Sequence, residues 1–560
     1  MPIPIKSPFW VKTPKGLSFL SIALCVMVST LYPHHALSRG GNPYLSNQSC
    51  APPNYALPDK TKISRIVVKF HEGSGVRFGS AGWKTVEPDE AELSGSVLPL
   101  EDSLLSRELN RLNQKNRKGN YRIQPLFNAE QAERVVALKL NGEKRSGRAL
   151  EDLRLYYELI FDNKSVTYKD VTQMLVYLNR FKLVEIAYAE PVYVPKKLLS
   201  ADMATLIPTP NPFFTPTPNF EEMQTYLDSP PLGIGARECA WEVPGGRGSQ
   251  VKIVDVEAGW NTNHEDLPTL FYTYGKGTVL FEGHGTAVLG VIAAVDNNFG
   301  VTGIISNAKV GYASVCAPKA GVYCFPEDEA FRNLKIANAI FEATNAVGEG
   351  GIVLIELHFP GPLSNSPCCD WPILKDYCGY IPVEYWQLNF DAIQYATANG
   401  VTVVEAGGDG SANLDDPVYH GCFDRQVRDS GAILVAASYP VPGIPACYTN
   451  WGSRIDVHAW GNNVTTIGFI GDLFKGGVKN QNRYYTAIFL GTSSSSPIVV
   501  GAVGSAQGVA MTHWGQPLKP LQLRELLVKT GTPQQPSEKK IGPFPNLCHL
   551  IPLVKTGQFD

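Results

Sequence analysis

Gly491-Thr492-Ser493-Ser494-Ser495-Ser496-Pro497 runs directly into residues 498–510, a segment that is small or apolar all round. Gly491 permits a sharp backbone entry that a side chain would obstruct. The segment behind it suits a buried helix, and Pro497 is expected in that helix's first turn, where a missing N–H costs nothing. A hydroxyl at this end faces unpaired backbone N–H groups and the positive end of the helix dipole. Both stabilise negative charge that develops during acyl transfer. Ser493 is the hydroxyl expected there. In isolation the same residues would also serve as a serine cap, so their meaning depends on the rest of the chain.

Outward from this stretch, apolar runs alternate with helical patterns. Residues 251–256, 352–357, 401–405 and 432–437 read as buried strands, and residues 383–398 as a helix with Trp386, Phe390 and Ile393 on one face and a stop at Asn399-Gly400. The pattern predicts an α/β fold, a mostly parallel sheet flanked by helices on both faces. Working groups in such sheets collect beyond the carboxyl ends of the strands, where Asp255 and Asp409 are expected.

A second, smaller pattern precedes it. Residues 63–195 alternate strand-like runs (66–70, 184–189) with a polar helical stretch at 103–114 and a helix carrying Val171, Met174, Leu175 and Leu178 on one face, which reads as a small α+β prodomain. Pro208, Pro210, Pro212, Pro216 and Pro218 then mark a stiff, exposed connector. The expected organisation is therefore 1–38 as a signal peptide, 39–197 as the α+β propeptide, 198–220 as a Pro/Thr-rich linker and 221–560 as the main domain.

The leader reading rests on Lys6, Lys12 and Lys15 before the apolar run 17–31, with Ala36-Leu37-Ser38 offering small residues for cleavage. The run is shorter than the ~20 residues a membrane crossing needs, so no membrane association is expected once the leader is gone. At 560 residues the chain is long enough for two or three domains, with 44% hydrophobic and 18% charged residues, as globular proteins have. A net charge of −3 leaves no basic footprint for nucleic acid. Of the 11 cysteines Cys25 leaves with the leader and Cys50 lies early in the mature chain, and export makes disulfides plausible for the nine beyond residue 200, one of which stays unassigned. By proximity Cys316 would pair with Cys324, Cys422 with Cys447, and Cys378 with Cys368 or Cys369, while Cys239 and Cys548 would tie the ends of the last domain. Localisation is expected to be secreted: extracellular, or periplasmic in a Gram-negative host.

Asp255 at the end of a strand, His284 in Gly283-His284-Gly285-Thr286-Ala287 and Ser493 each have an ordinary explanation alone, as turn residue, packed imidazole and helix cap. Together, in the order Asp, His, Ser, and framed by Ile253-Val254-Asp255-Val256-Glu257, Gly283-His284-Gly285-Thr286 and Gly491-Thr492-Ser493-Ser494-Ser495-Ser496-Pro497, they resemble the subtilisin-like serine proteases, the subtilase family. The resemblance spans about residues 233–528, and the α+β unit before it looks like a subtilase propeptide, which in that family assists folding and blocks the cleft until cut away. It implies a secreted serine endopeptidase made as a zymogen, with Ser493 as nucleophile, His284 as base and Asp255 as the acid that orients it. It also implies protein or peptide substrates, the chain's own propeptide as intramolecular inhibitor, and no cofactor for catalysis. Structural calcium occurs in the family, but the chain carries no ligand run specific enough to point to particular residues.

The chain departs from the family at Ala406-Gly407-Gly408-Asp409-Gly410, where most members have Asn at the position of Asp409. A carboxylate accepts hydrogen bonds and repels an oxyanion, so Asp409 can serve the oxyanion only when protonated. Losing such a donor costs about 10²–10³ in kcat, a figure from a subtilisin. The backbone N–H of Ser493 remains as a second donor, and a working enzyme that is slow or favours mildly acidic pH is expected. The resemblance places His358, Gly361, Gly407 and Gly408 in the substrate-binding region. His264 is read as a structural turn residue and Glu405 as internally paired. The reading from another class is a catalytically silent secreted binding protein on the same scaffold, which the retained Asp255, His284 and Ser493 argue against.

Overall fold

The computed structural model describes residues 63–79, 82–85, 122–160, 168–192 and 216–557, apart from 279–280, 317–333, 365–367, 370–373, 375–376, 441–442 and 477–479. The leader, the helical stretch at 103–114, most of the connector, Cys50 and Cys324 lie outside the described residues.

The N-terminal unit contains β1 (Ile63–Phe70), a hairpin of β2 (Val76–Gly79) and β3 (Gly82–Thr85), β4 (Arg122–Pro125), α1 (Ala129–Ser146), β5 (Tyr156–Ile160), α2 (Tyr168–Leu178) and β6 (Val184–Pro191). Its sheet runs β4-β5-β1-β6, antiparallel throughout. Helix α1, which no sequence pattern had announced, starts at a capping box between Asn128 and Gln131 and stops at Gly147 in the left-handed region.

The larger unit is built on seven parallel strands in the order β15-β14-β13-β10-β7-β9-β8. These are β7 (Lys252–Glu257), β8 (Tyr272–Tyr274), β9 (Lys309–Ser314), β10 (Ile352–Ile355), β13 (Thr402–Ala406), β14 (Ile433–Ser438) and β15 (Val457–Trp460), with β11 (His358–Pro360) paired to β12 (Tyr380–Pro382) and β16 (Val464–Ile467) to β17 (Tyr485–Phe489). The helices are α3 (Glu282–Ala293), α4 (Ile336–Val347), α5 (Gln387–Ala398), α6 (Thr492–Trp514), α7 (Pro520–Thr530) and α8 (Leu547–Thr556). The expected α/β architecture is the one observed.

Two core clusters occupy the two faces of the sheet, and strand parity assigns residues between them. Val254, Val256, Val353 and Ile355 pack with α4 and α5, whereas Ile253 and Leu354 pack with α3 and α6. The α4–α5 face also receives the N-terminal unit. Arg134 grips Glu342 through two bonds of 2.8 Å, Leu388 donates its N–H to the Tyr188 hydroxyl at 3.1 Å, and Tyr156 donates to Asp391.

Two expectations about local structure are corrected. The helix expected at 383–398 starts at Gln387, because Val383–Tyr385 form a separate 3₁₀ turn after β12. Helix α6 starts at Thr492, so Pro497 lies inside it and not in the first turn, and the Ser493 carbonyl receives no helical N–H from that position. The disulfides Cys239–Cys548 and Cys368–Cys378 match expectation. Cys447 pairs with Cys369 instead of Cys422, which is buried; a spacing of 78 residues gives no local hint of that bond. Cys316 is also disulfide-bonded.

Candidate active site

Of the four consecutive serines at the start of α6, three have committed hydroxyls. Ser494 donates to the Trp460 carbonyl and Ser495 to that of Ala459, both at 3.0 Å, and Ser496 bonds back to Thr492 at 2.8 Å. All three are fully buried. Ser493 is partly exposed and lines a recess with Glu257, His284, Glu356, His358 and Asp409. Of the four serines, Ser493 alone lines the recess.

His284 sits in the first turn of α3, and its Nδ1 lies 2.6 Å from Glu257 Oε2. This corrects the expected acid: Asp255 does not meet His284, and its Oδ2 accepts the Trp260 indole N–H at 2.7 Å. The physical reason is strand geometry. Asp255 and Glu257 have the same parity on β7 and so share the face that carries α3 and α6. Glu257 stands two residues, or about 6.6 Å, further toward the carboxyl end, where the histidine is. The GHGT frame serves the same contact, because a Cβ on Gly285 would fall 1.8 Å from Glu257 Oε1. Glu257 was quoted in the sequence frame without a role; parity plus position at the strand's end is the signal that finds it.

Burial governs the electrostatics. It pushes His284 down to about 4, against the opposing charges of Asp255 and Asp409, and pushes the Glu257 and Asp255 carboxyls upward. With Nδ1 engaged by Glu257, Nε2 is the nitrogen left for acid–base work.

Asp409 caps the helix that carries Ser493. Its Oδ1 accepts the Thr492 N–H at 2.8 Å and the Thr492 hydroxyl at 3.0 Å, which leaves Oδ2 to carry a proton. Burial raises this carboxyl to about 6 even though Thr492 pulls the other way. The Asp409 N–H donates to His358 Nδ1 at 3.1 Å, so that nitrogen is unprotonated; burial holds the imidazole neutral, down at about 3. His358 lines the recess and packs against Tyr377 and Tyr380. Gly361, Gly407 and Gly408 are not among its described lining residues, and their N–H groups bond to Gly379, Val435 and Thr492.

His264 is structural: its Nε2 meets the Tyr484 carbonyl at 2.8 Å and its Nδ1 accepts the Asp266 N–H. Glu405 has the opposite parity to the site carboxylates and accepts the Glu384 N–H at 3.0 Å on the far side of the sheet. Among the described residues no group of three or more His, Cys, Asp or Glu side chains is arranged to hold a metal ion.

A family model described as "Subtilase family" matches residues 249–542. An extracellular protease of Xanthomonas campestris pv. campestris is 28% identical over 255 residues, which is 44% of this chain and 36% of that protein. The major intracellular serine protease of Bacillus subtilis is 24% identical over 272 residues, 46% of this chain and 69% of its own. The chain therefore spans about a third of the first relative and two thirds of the second. A cold adapted subtilisin-like serine proteinase of known structure covers 54% of this chain and 89% of its own, at 16% identity and a TM-score of 0.35. Because the family match extends over more than half of the chain and takes in the whole arc from β7 through α6, this protein belongs to the subtilase family.

Proposed function

We propose that this chain is a serine endopeptidase in which Ser493 is the nucleophile, His284 the general base and Glu257 the acid that orients it. The observation that carries the reading is the 2.6 Å contact between His284 Nδ1 and Glu257, in a recess that Ser493 and Asp409 also line. Ser493 Oγ attacks the peptide carbonyl while Nε2 takes its proton; the proton then passes to the leaving amine, and water releases the acyl group by the same steps. Glu257 keeps the Nδ1 proton in place and stabilises the imidazolium. Asp409 Oδ2, when protonated, and the Ser493 N–H donate to the oxyanion.

The base must be neutral, which requires a pH above about 4, and the Asp409 donor must be protonated, which requires one below about 6. Activity is therefore assigned to mildly acidic conditions. The N-terminal unit, held on α4 and α5 by Arg134 and Tyr156, acts as an inhibitory prosegment released by cleavage in the connector. Secretion accords with the disulfides; among the described residues no helix is long and apolar enough to cross a membrane. A fluorophosphonate probe tests the reading: prosegment-free protein should label at pH 5, and Ser493→Ala should not. Absent labelling of the prosegment-free wild type would overturn it. N-terminal sequencing of the secreted form checks the processing.

A further inference from the structure

Glu356 has no part in the steps above, yet it stands at the nucleophile. It follows β10 with the parity of Leu354, so its side chain turns to the α6 face, where it is 6% exposed. Its Oε1 is hydrogen-bonded to the Ser496 hydroxyl. That hydroxyl also bonds to the Thr492 carbonyl at 2.8 Å, in the back-bond that serines make within helices. A hydroxyl has one proton and a carbonyl oxygen can only accept. If the Ser496 proton goes to Thr492, the proton between Ser496 and Glu356 belongs to Glu356. The other oxygen, Oε2, is buried with no hydrogen-bond partner among the described residues, and Glu356 lines the same recess as Ser493.

We propose that Glu356 is a positioning residue for Ser493 that works as a neutral carboxylic acid, its proton held by Ser496 and its free oxygen turned to the nucleophile's hydroxyl. This rests on the peptidase reading above. A neutral acid is a weak acceptor, so it orients the hydroxyl and still lets the proton go to His284. An ionised Glu356 would compete for that proton and set a negative charge beside the oxyanion. Ionisation of Glu356 thus switches the nucleophile off, independently of Asp409.

The surroundings hold the acid neutral. Asp255 and Glu257 face it from β7, and His284 from α3, His358 from the start of β11, Tyr377 from the loop before β12 and Asp409 from the turn after β13 complete the described titratable groups around it. The described residues of that lining include no Lys or Arg. Burial, with the Asp255 and Glu257 charges behind it, pushes the carboxyl well up.

The test measures kcat/KM against pH in an Asp409→Asn background, which removes the other acidic group at the oxyanion, with a melting curve for every variant. An alkaline limb should persist in that background, and Glu356→Gln, which mimics the neutral acid, should abolish it while keeping the acidic plateau within about threefold. Ser496→Ala removes the acceptor of the Glu356 proton and should move the limb to lower pH. The opposite shift would mean that Ser496 donates to a carboxylate, and would overturn the proposal. So would a limb unmoved by Glu356→Gln, or a plateau lowered by about 10² or more, which would make the ionised form essential. Infrared difference spectra provide a readout that needs no turnover: at neutral pH Ser493→Ala protein should show a carboxylic-acid C=O band that Glu356→Gln removes. Its absence sinks the proposal whatever the activity, whereas its presence in a wild type that fails to label counts against the peptidase reading alone.

Discussion

Exchanging the two carboxylates of β7 one at a time decides which of them serves His284. Glu257 Oε2 holds Nδ1 at 2.6 Å in a spot that is 2% exposed, so no water can replace it. Glu257→Gln is nearly isosteric but presents an amide N–H to Nδ1, which favours the tautomer with its proton on Nε2, the atom that must accept the serine's proton. The corresponding change in serine proteases lowers kcat about 10⁴-fold. At 1.36 kcal/mol per decade that is about 5.5 kcal/mol of barrier. Asp255→Asn keeps an oxygen for the Trp260 indole and removes a charge that burial disfavours, so kcat should stay within about tenfold and the melting temperature should hold or rise. The assay is kcat on a chromogenic peptide at pH 5, with folding checked by thermal melts. The expected gap between the variants is about a thousandfold. If Asp255→Asn proves the more damaging of the two while both remain folded, the orienting role of Glu257 is refuted.

Three further outcomes follow from the same physics. In the wild type, kcat/KM should fall about tenfold per pH unit above about 6 as Asp409 loses the proton it donates, and Asp409→Asn should carry activity to neutral pH; an unmoved profile in that variant would contradict the donor role. Asp266, fully buried and raised by burial to about 7, binds a proton in the folded state that the unfolded chain has already lost above about pH 4. Its contribution therefore makes the protein most stable at low pH and costs about 4 kcal/mol as pH rises through 4 to 7, so denaturation curves for Asp266→Asn should show a weaker decline over that window than wild type. Removing Cys239–Cys548, which closes a loop of 309 residues, should lower stability by up to about 5 kcal/mol; a melt unchanged by Cys239→Ser with Cys548→Ser would show that other contacts already hold α8 in place.

Much of this molecule is written locally. Period-two and continuous apolar runs mark strands wherever a sheet is covered on both faces, which is why the α/β order was legible. Gly491, two residues before Ser493, is a backbone necessity visible as a residue type and brought Ser493 forward without coordinates, whereas His284 came forward through the GHGT frame of the subtilase resemblance. Asp409 was legible as an anomaly through the same resemblance, standing where most members of the family have Asn.

The rest required the chain to close on itself. Asp255 and Glu257 share a strand face, and only the placement of α3, 27 residues beyond Glu257, decides which of them meets His284. Glu356 meets Ser496 across 140 residues, and Cys369 meets Cys447 across 78. The sequence by itself determined four adjacent strands of the parallel sheet and which residue types stand at their ends, because propensity, periodicity and turn chemistry act over a few residues. Which carboxylate receives which proton was decided by the tertiary structure alone, because a hydrogen bond is made over about 3 Å of space whatever the separation along the chain.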